Sequence, residues 1–211
     1  MALRVYDTRS RTKRELIPLV EGQIGIYACG ITPYSPSHIG HARQAVAFDI
    51  IVRWLRKSGL KVNYIANFTD IDDKIIAASF KEGVDFLEVA NRNIDDYFEV
   101  MDALNVTRAN SYPRVTETIP EIQEMITNLI DKGFAYVAND GVYFEIDTAP
   151  EKYGQLTGQT LEMVREGAGG RVDETGSGKK DHRDFALWKS AKEGEPRWES
   201  PWGPGRPGWH I

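Results

Sequence analysis

The sequence predicts an α/β domain built on a parallel sheet and interrupted by a small α+β insertion. One observation is a strand, a loop, a helix and a second strand in close succession over 23–68, which is the pattern of a βαβ unit. Another is a change after Gly133, where short strands separated by turn residues replace the helices. We therefore expect a first domain segment at 1–114, an insertion at 115–195 and a return to the first domain at 196–211.

The elements of the βαβ unit follow from the spacing of apolar residues. We expect residues 23–29 to form a buried strand and 30–37 to form a loop rich in Gly, Pro and Ser. From His41 the apolar residues recur every three or four positions, which predicts an amphipathic helix that ends at Ser58-Gly59. Residues 62–68 are apolar enough to predict a second strand that is covered on both faces.

Three further helices follow. One has an N-cap within Asp70-Ile-Asp-Asp-Lys74 and runs through Phe80, and a second runs from Asp85. The apolar stripe of the second helix consists of Phe86, Val89, Ile94, Tyr97, Met101 and Leu104. A third begins near Thr118-Ile-Pro120 and ends at Lys132-Gly133, because proline suits the first turn of a helix and glycine suits its end. These helices complete the predicted first segment and begin the insertion.

The insertion and the end of the chain have a different character. Asp140-Gly141 lies between two apolar runs and predicts a β-hairpin. Residues 166–181 are rich in Gly and charge and predict a loop, and 183–189 predict another strand. The Gly- and Pro-rich end at 201–211 is typical of backbone that approaches a ligand closely. We predict that Trp188, Trp198 and Trp202 are packing anchors.

Composition excludes several classes of protein. The chain has 211 residues, a formal net charge of −5 and 41% hydrophobic residues, which is typical of a globular protein and not of a general polyanion binder. It has no apolar run of about 18 residues and no secretory signal, so we expect no membrane contact. A single cysteine, Cys29, excludes an internal disulfide. These observations favour a reducing, cytoplasmic location.

The residues between the first strand and the first helix are the strongest candidates for chemistry. His38-Ile-Gly-His41 lies at a helix start, where free N–H groups and the helix dipole attract anions. Gly40 would let a nucleotide approach the backbone, and both imidazoles could bind phosphate and stabilise charge at a phosphorus transition state. The alternative is that the two histidines only cap the helix.

Two other sets of residues could bind metal. Cys29, just before the loop, could be a metal ligand, although a lone cysteine is more often a packed core thiol. Asp70, Asp72 and Asp73 could bind a cation, but we favour their interpretation as a helix cap with acids in the first turn.

Five motifs in register give the chain a family resemblance. His38-Ile-Gly-His41 is similar to the nucleotide-binding motif of class I aminoacyl-tRNA synthetases. With Cys29-Gly-Ile-Thr-Pro-Tyr34 before it, the chain resembles the cysteinyl-tRNA synthetase family. The resemblance extends to three later motifs, which follow in the family's order and spacing: Asn67-Phe-Thr-Asp-Ile-Asp-Asp-Lys74, Asp184-Phe-Ala-Leu-Trp-Lys189 and Gly205-Arg-Pro-Gly-Trp-His-Ile211.

The resemblance implies a fold and a reaction. The fold would be the first half of a Rossmann-like class I catalytic domain. The reaction would join L-cysteine and ATP, with Mg²⁺, into cysteinyl-adenylate and then pass the cysteinyl group to tRNA(Cys). The parent enzyme would be a cytoplasmic monomer. A zinc ion that binds the substrate thiolate would separate cysteine from serine, because contacts in an ordinary pocket distinguish such near-isosteres poorly.

The resemblance also implies roles for individual residues. His38 and His41 would be the catalytic, phosphate-binding pair. Cys29 would be one zinc ligand. ATP would further contact three glycines: Gly40, Gly205 and Gly208. The cysteine pocket would be lined by three residues: Gly30, Thr69 and Trp209.

The chain departs from the family at its end. It stops at Ile211, before the remaining zinc ligands and the Lys-Met-Ser-Lys-Ser loop of the family. His182 and His210 do not match ligand positions, and Lys189-Ser-Ala-Lys192 lies in the insertion and is not that loop. We expect an amino-terminal fragment with an incomplete zinc site, and a strand of the first domain that begins at Trp209.

Three alternatives stay open. A mycothiol-pathway ligase activates cysteine in the same way but passes it to an amino sugar; Ala42-Arg43 and Asp72-Asp73-Lys74-Ile75-Ile76 fit the synthetase better. A small nucleotidyltransferase could also use His-x-Gly-His, but it would not need the insertion. A truncated, non-catalytic module could bind a nucleotide without any chemistry.

Overall fold

A computed structural model describes residues 3–158 and 178–211. The chain divides into two compact units: Ile17–Thr118, and Met1–Leu16 together with Ile119–Ile211. Most of the predicted loop at 166–181, up to residue 177, lies outside the described residues. Within the described ranges, no helix is both long and apolar enough to cross a lipid bilayer.

An antiparallel hairpin that the sequence did not predict opens the chain. Strand β1 (Arg4–Asp7) pairs with β2 (Thr12–Glu15), with Arg4 opposite Glu15. The turn is held by Asp7, whose carboxylate accepts hydrogen bonds from the backbone N–H groups of Arg9 and Ser10. Both strands are mainly exposed and carry mixed charges, so they lack the apolar alternation that would have revealed them.

The predicted βαβ unit is present in the unit Ile17–Thr118. Strand β3 (Gln23–Ile31), helix α1 (Ile39–Lys57) and strand β4 (Lys61–Phe68) follow in order, and the two strands are parallel. Burial along β4 alternates strictly, with the side chains at 62, 64, 66 and 68 buried. The expectation that β4 is covered on both faces is therefore wrong for the described residues, because Lys61 and Asn63 are exposed. The expectation of a buried strand at 23–29 is wrong as well, because only Ala28 is buried among these residues.

Two helices follow β4 and pack against each other. Helix α2 (Asp73–Glu82) begins after Asp72, whose side chain accepts from the backbone N–H of Lys74, and α3 (Phe86–Ala103) is capped by Asp85 in the same way. The favoured interpretation of the Asp70–Asp73 segment as a helix cap is thus confirmed. The core of this unit includes three small clusters, whose buried members are Ile75, Val89 and Ala90; Ile31, Phe68 and Ile94; and Ala42, Ala45 and Met101.

The other unit contains the α+β elements. Helix α4 (Ile119–Asp131) is followed by strands β5 (Ala135–Ala138), β6 (Gly141–Phe144), β7 (Phe185–Ser190) and β8 (Gly205–Pro207). The four strands form one antiparallel sheet in the order β5-β6-β7-β8, which includes the predicted hairpin.

Tryptophans anchor the core of this sheet, as predicted. Trp188 is fully buried, and its ring meets that of Trp202 edge to face at 6.0 Å. Trp198 packs against the same cluster. The expected strand beginning at Trp209 is not seen, because the strand lies earlier, at β8, and Trp209 and His210 form a turn. Strand β8 pairs with the antiparallel strand β7.

Candidate functional site

The two histidines lie at the start of α1 and cap it. His38 is the N-cap residue, and its Nδ1 accepts from the backbone N–H of Gly40 at 3.1 Å. The Nδ1 of His41 accepts from the backbone N–H of His38 at 3.4 Å. A neutral imidazole that accepts at Nδ1 carries its proton on Nε2. Each ring therefore offers an N–H donor at Nε2, beside a helix start that attracts anions.

Within this pair, the surroundings of His41 favour its neutral form. Partial burial lowers the pKa of His41 below its ordinary value of 6.5, and the neighbouring His38 lowers it further, while Asp96 acts in the opposite direction. At neutral pH the His41 ring is therefore an uncharged hydrogen-bond donor. This arrangement suits the binding of phosphate oxygens without proton transfer.

Helix α3 holds the loop that carries the histidines. Asp96 accepts from the backbone N–H of Ser37 at 2.7 Å, and the side-chain amide of Asn93 donates to the carbonyl of Pro33 at 3.2 Å. Asn93 is 2% exposed and lies within the predicted apolar stripe of its helix. A buried amide in an apolar stripe is a signal that sequence reasoning missed, because such a group needs a partner from elsewhere in the chain.

The strand before the loop carries the second group of predicted residues. The β3–β4 register runs evenly to Ala28 and then shifts before Ile31, so Cys29 and Gly30 lie in a β-bulge. A Cβ on Gly30 would lie 1.6 Å from the carbonyl oxygen of Asn67, so only glycine fits there. The Cys29 thiol is free and its residue is exposed. The alternative of a packed core thiol is thereby excluded.

Thr69 lies beside this bulge. Its backbone N–H donates to the carbonyl of Ile31 at 2.9 Å, and its hydroxyl accepts from the side chain of Asn67 at 3.4 Å. The same Asn67 side chain accepts from the backbone N–H of Gly30 at 2.9 Å. The structure thus brings Gly30 and Thr69 together next to Cys29, and Asn67 is the residue that connects Gly30 with Thr69.

The remaining predicted binding residues belong to the other unit. A Cβ on Gly205 would lie 2.4 Å from the carbonyl oxygen of Lys189, and one on Gly208 would lie 1.9 Å from that of Ala186. Close packing against β7 therefore already explains both glycines. Trp209 is 54% exposed, so its ring is accessible to a ligand.

The described residues do not form a metal centre by themselves. Across 3–158 and 178–211, no three His, Cys, Asp or Glu side chains come close enough together to hold an ion. Cys29 can supply one ligand. Asp70 is fully buried and accepts from both the backbone N–H and the hydroxyl of Thr116, so it is occupied by a structural role.

Comparison with known proteins places this geometry in a family. Residues 15–211 match the family model described as tRNA synthetases class I (C) catalytic domain. A cysteine–tRNA ligase of Carboxydothermus hydrogenoformans is 50% identical over 209 residues, which are 99% of this chain and 44% of that protein. One of Pyrococcus horikoshii is 52% identical over 211 residues, again 44% of its length. The chain thus spans less than half the length of these relatives.

Solved structures support the fold. A Mycobacterium tuberculosis methionyl-tRNA synthetase bound by methionyl-adenylate matches with a TM-score of 0.53 and 18% identity, over 62% of this chain and 33% of that one. A second structure of that enzyme in complex with methionyl-adenylate matches with a TM-score of 0.50 and 23% identity, over 58% of this chain and 25% of that one. The Rossmann-like α/β fold predicted from the sequence is confirmed.

Proposed function

Because this chain belongs to the family of class I tRNA synthetase catalytic domains of the C type, we propose that it forms part of a cysteine–tRNA ligase. In the first step a carboxylate oxygen of L-cysteine attacks the α-phosphorus of ATP, and pyrophosphate leaves. In the second step a hydroxyl at the 3′ end of tRNA(Cys) attacks the carbonyl carbon of cysteinyl-adenylate, and AMP leaves. Both steps conserve oxidation state and need no further reactant.

The observation that carries this proposal is the orientation of His38 and His41. Both rings use Nδ1 to accept backbone hydrogen bonds, so both have Nε2–H available at the start of α1. Fixed donors of this kind stabilise negative charge that grows on phosphate oxygens during displacement at phosphorus. We assign the pair to ATP phosphates. Gly40 leaves room for the nucleotide near the helix start.

The amino-acid pocket is proposed at the β-bulge. Gly30 and Thr69 lie together there, and Cys29 has an exposed thiol on the same bulge. Trp209, in the other unit, stays a proposed cysteine-binding residue. We also propose that Cys29 is one ligand of a zinc ion, for which the described residues supply no full set of ligands. Mg²⁺ would accompany ATP as part of the substrate.

The other assignments follow the same proposal. Gly205 and Gly208 would border the adenosine, in addition to their packing role. We keep the domain division at 1–114, 115–195 and 196–211 as a proposal, with a monomeric, cytoplasmic enzyme. The alternatives are a mycothiol-pathway ligase and a non-catalytic nucleotide-binding protein.

Transfer of radiolabelled cysteine tests the function. The protein produced from its complete reading frame is expected to attach cysteine to tRNA(Cys) in the presence of ATP and Mg²⁺. Attachment to glucosaminyl-inositol instead of tRNA would favour the mycothiol-pathway ligase. Nucleotide binding without any cysteine-dependent turnover would favour the non-catalytic alternative.

A further inference from the structure

The Asn67 side chain makes hydrogen bonds with three residues at or beside the β-bulge, namely Tyr27, Gly30 and Thr69. Its Oδ1 accepts from the backbone N–H of Gly30 at 2.9 Å and from the hydroxyl of Tyr27 at 3.0 Å. Its Nδ2 donates to the hydroxyl oxygen of Thr69 at 3.4 Å. Its own carbonyl oxygen occupies the space where a side chain on Gly30 would have to be. Both ends of the amide are therefore engaged, which fixes its orientation.

The Tyr27 hydroxyl is a hydrogen-bond donor in this arrangement. Its O–H donates to the Oδ1 of Asn67 at 3.0 Å and keeps that amide oxygen on the side of Gly30. The amide nitrogen is then left on the side of Thr69.

The hydrogen bond to Thr69 has a consequence for that hydroxyl. A threonine hydroxyl has one proton to donate and two lone pairs with which it accepts. Because Thr69 accepts from Asn67 along one of these lone pairs, its own proton points away from Asn67. That proton is available to a ligand atom at the bulge, such as the sulfur of a small thiol amino acid.

We propose that Asn67 is a positioning residue for the amino-acid pocket, which holds the Gly30 backbone and orients the Thr69 hydroxyl towards the side chain of the bound amino acid. This inference rests on the proposed function and adds to it a residue outside the predicted site. It assigns Asn67 to the binding of the amino acid and not to that of ATP, whose phosphates we place at the histidines.

Steady-state pyrophosphate exchange by the complete protein tests this assignment. Asn67→Leu keeps a similar volume but removes all three side-chain hydrogen bonds, and we expect about a tenfold higher KM for cysteine, with KM for ATP within about twofold of wild type. Asn67→Asp keeps the acceptors for Gly30 and Tyr27 but cannot donate to Thr69. We expect it to recover part of the affinity for cysteine.

Asn110 supplies a matched control, because its side chain also contacts strand β4. Its Oδ1 accepts from the backbone N–H of Tyr64 at 2.8 Å, away from the bulge. Asn110→Leu is expected to lower the melting temperature but to leave KM for cysteine unchanged.

The outcomes separate the two proposals. Equal changes in both KM values, or no change in either, in an active Asn67→Leu protein would overturn the role of Asn67 and leave the proposed function standing. If Asn67→Leu does not fold, a wild-type KM for cysteine in Asn67→Asp would overturn the role. An inactive wild-type protein would overturn the proposed function itself, and with it the pocket that Asn67 is proposed to organise.

Discussion

The imidazole rings of His38 and His41 stack face to face, with ring centroids 3.8 Å apart and ring planes 18° apart. The three-residue spacing along the first helical turn produces this contact, and the two backbone hydrogen bonds to Nδ1 hold it. If both rings were protonated, their positive charges would repel each other at this distance. The pair is therefore suited to neutral hydrogen bonding.

The charge state of His41 is a first testable consequence. Its pKa should lie below 6.5 because of partial burial and the nearby His38. The unfolded chain then binds the proton more readily, so the folded chain should lose stability as the pH falls through 6.5 and below. Imidazole titration by NMR is expected to find a higher pKa for His41 in His38→Gln and a lower one in Asp96→Asn. Shifts in the same direction in both variants would contradict this account.

Gly30 should tolerate no side chain. In Gly30→Ala the new Cβ would overlap the Asn67 carbonyl oxygen, so β3 must separate from β4 or the bulge must change shape. We expect a loss of about 3 kcal/mol or more in the free energy of unfolding, measured by urea denaturation. Gly25→Ala on the same strand is the control, because its Cβ would meet nothing within 4 Å. Similar losses in both variants would show that strand propensity alone is responsible.

Asp70 should be structural and not a metal ligand. Asp70→Ala leaves the backbone N–H and the hydroxyl of Thr116 without their acceptor, so we expect a loss of about 1–3 kcal/mol in the free energy of unfolding. Asp102→Ala, which removes an exposed ion pair with Arg108, is the control and should change stability little. Rescue of Asp70→Ala by added divalent cation would argue for the metal interpretation.

Zinc retention tests the state of the metal site. The described residues offer Cys29 but no cluster of three ligands, and a stable protein site needs about three. We expect the 211-residue chain to lose its zinc on dialysis, with less than one equivalent left by atomic absorption. Stoichiometric zinc that Cys29→Ser abolishes would show that these residues suffice.

Local features of the fold were predictable because their signals are local. The βαβ unit, the helix cap at Asp72 and the hairpin at Asp140-Gly141 each depend on a few neighbouring residues. The hairpin of β1 and β2 was missed because both strands are mainly exposed and lack an alternation of apolar residues. The last strand was misplaced towards Trp209, because close packing of Gly205 and Gly208 against β7 cannot be inferred from their spacing.

The candidate site was only partly predictable for a related reason. His38 and His41 carry a motif within four residues, and Cys29 precedes it near the end of β3. The contacts of Asn67 and Asp96 could not be predicted from the residues next to them in the sequence. Their partners lie 37 and 59 positions away in the chain. For Asn67, a register shift between β3 and β4 also decides which backbone group it meets.

The most direct test of the whole account is cysteine-dependent exchange of pyrophosphate into ATP by the protein from its complete reading frame. The account predicts exchange with cysteine, little with serine, and a loss of about 100-fold or more in kcat for His41→Asn, consistent with removal of a donor that acts on the transition state. Absence of exchange with cysteine in the wild-type protein, or full exchange in His41→Asn, would contradict it.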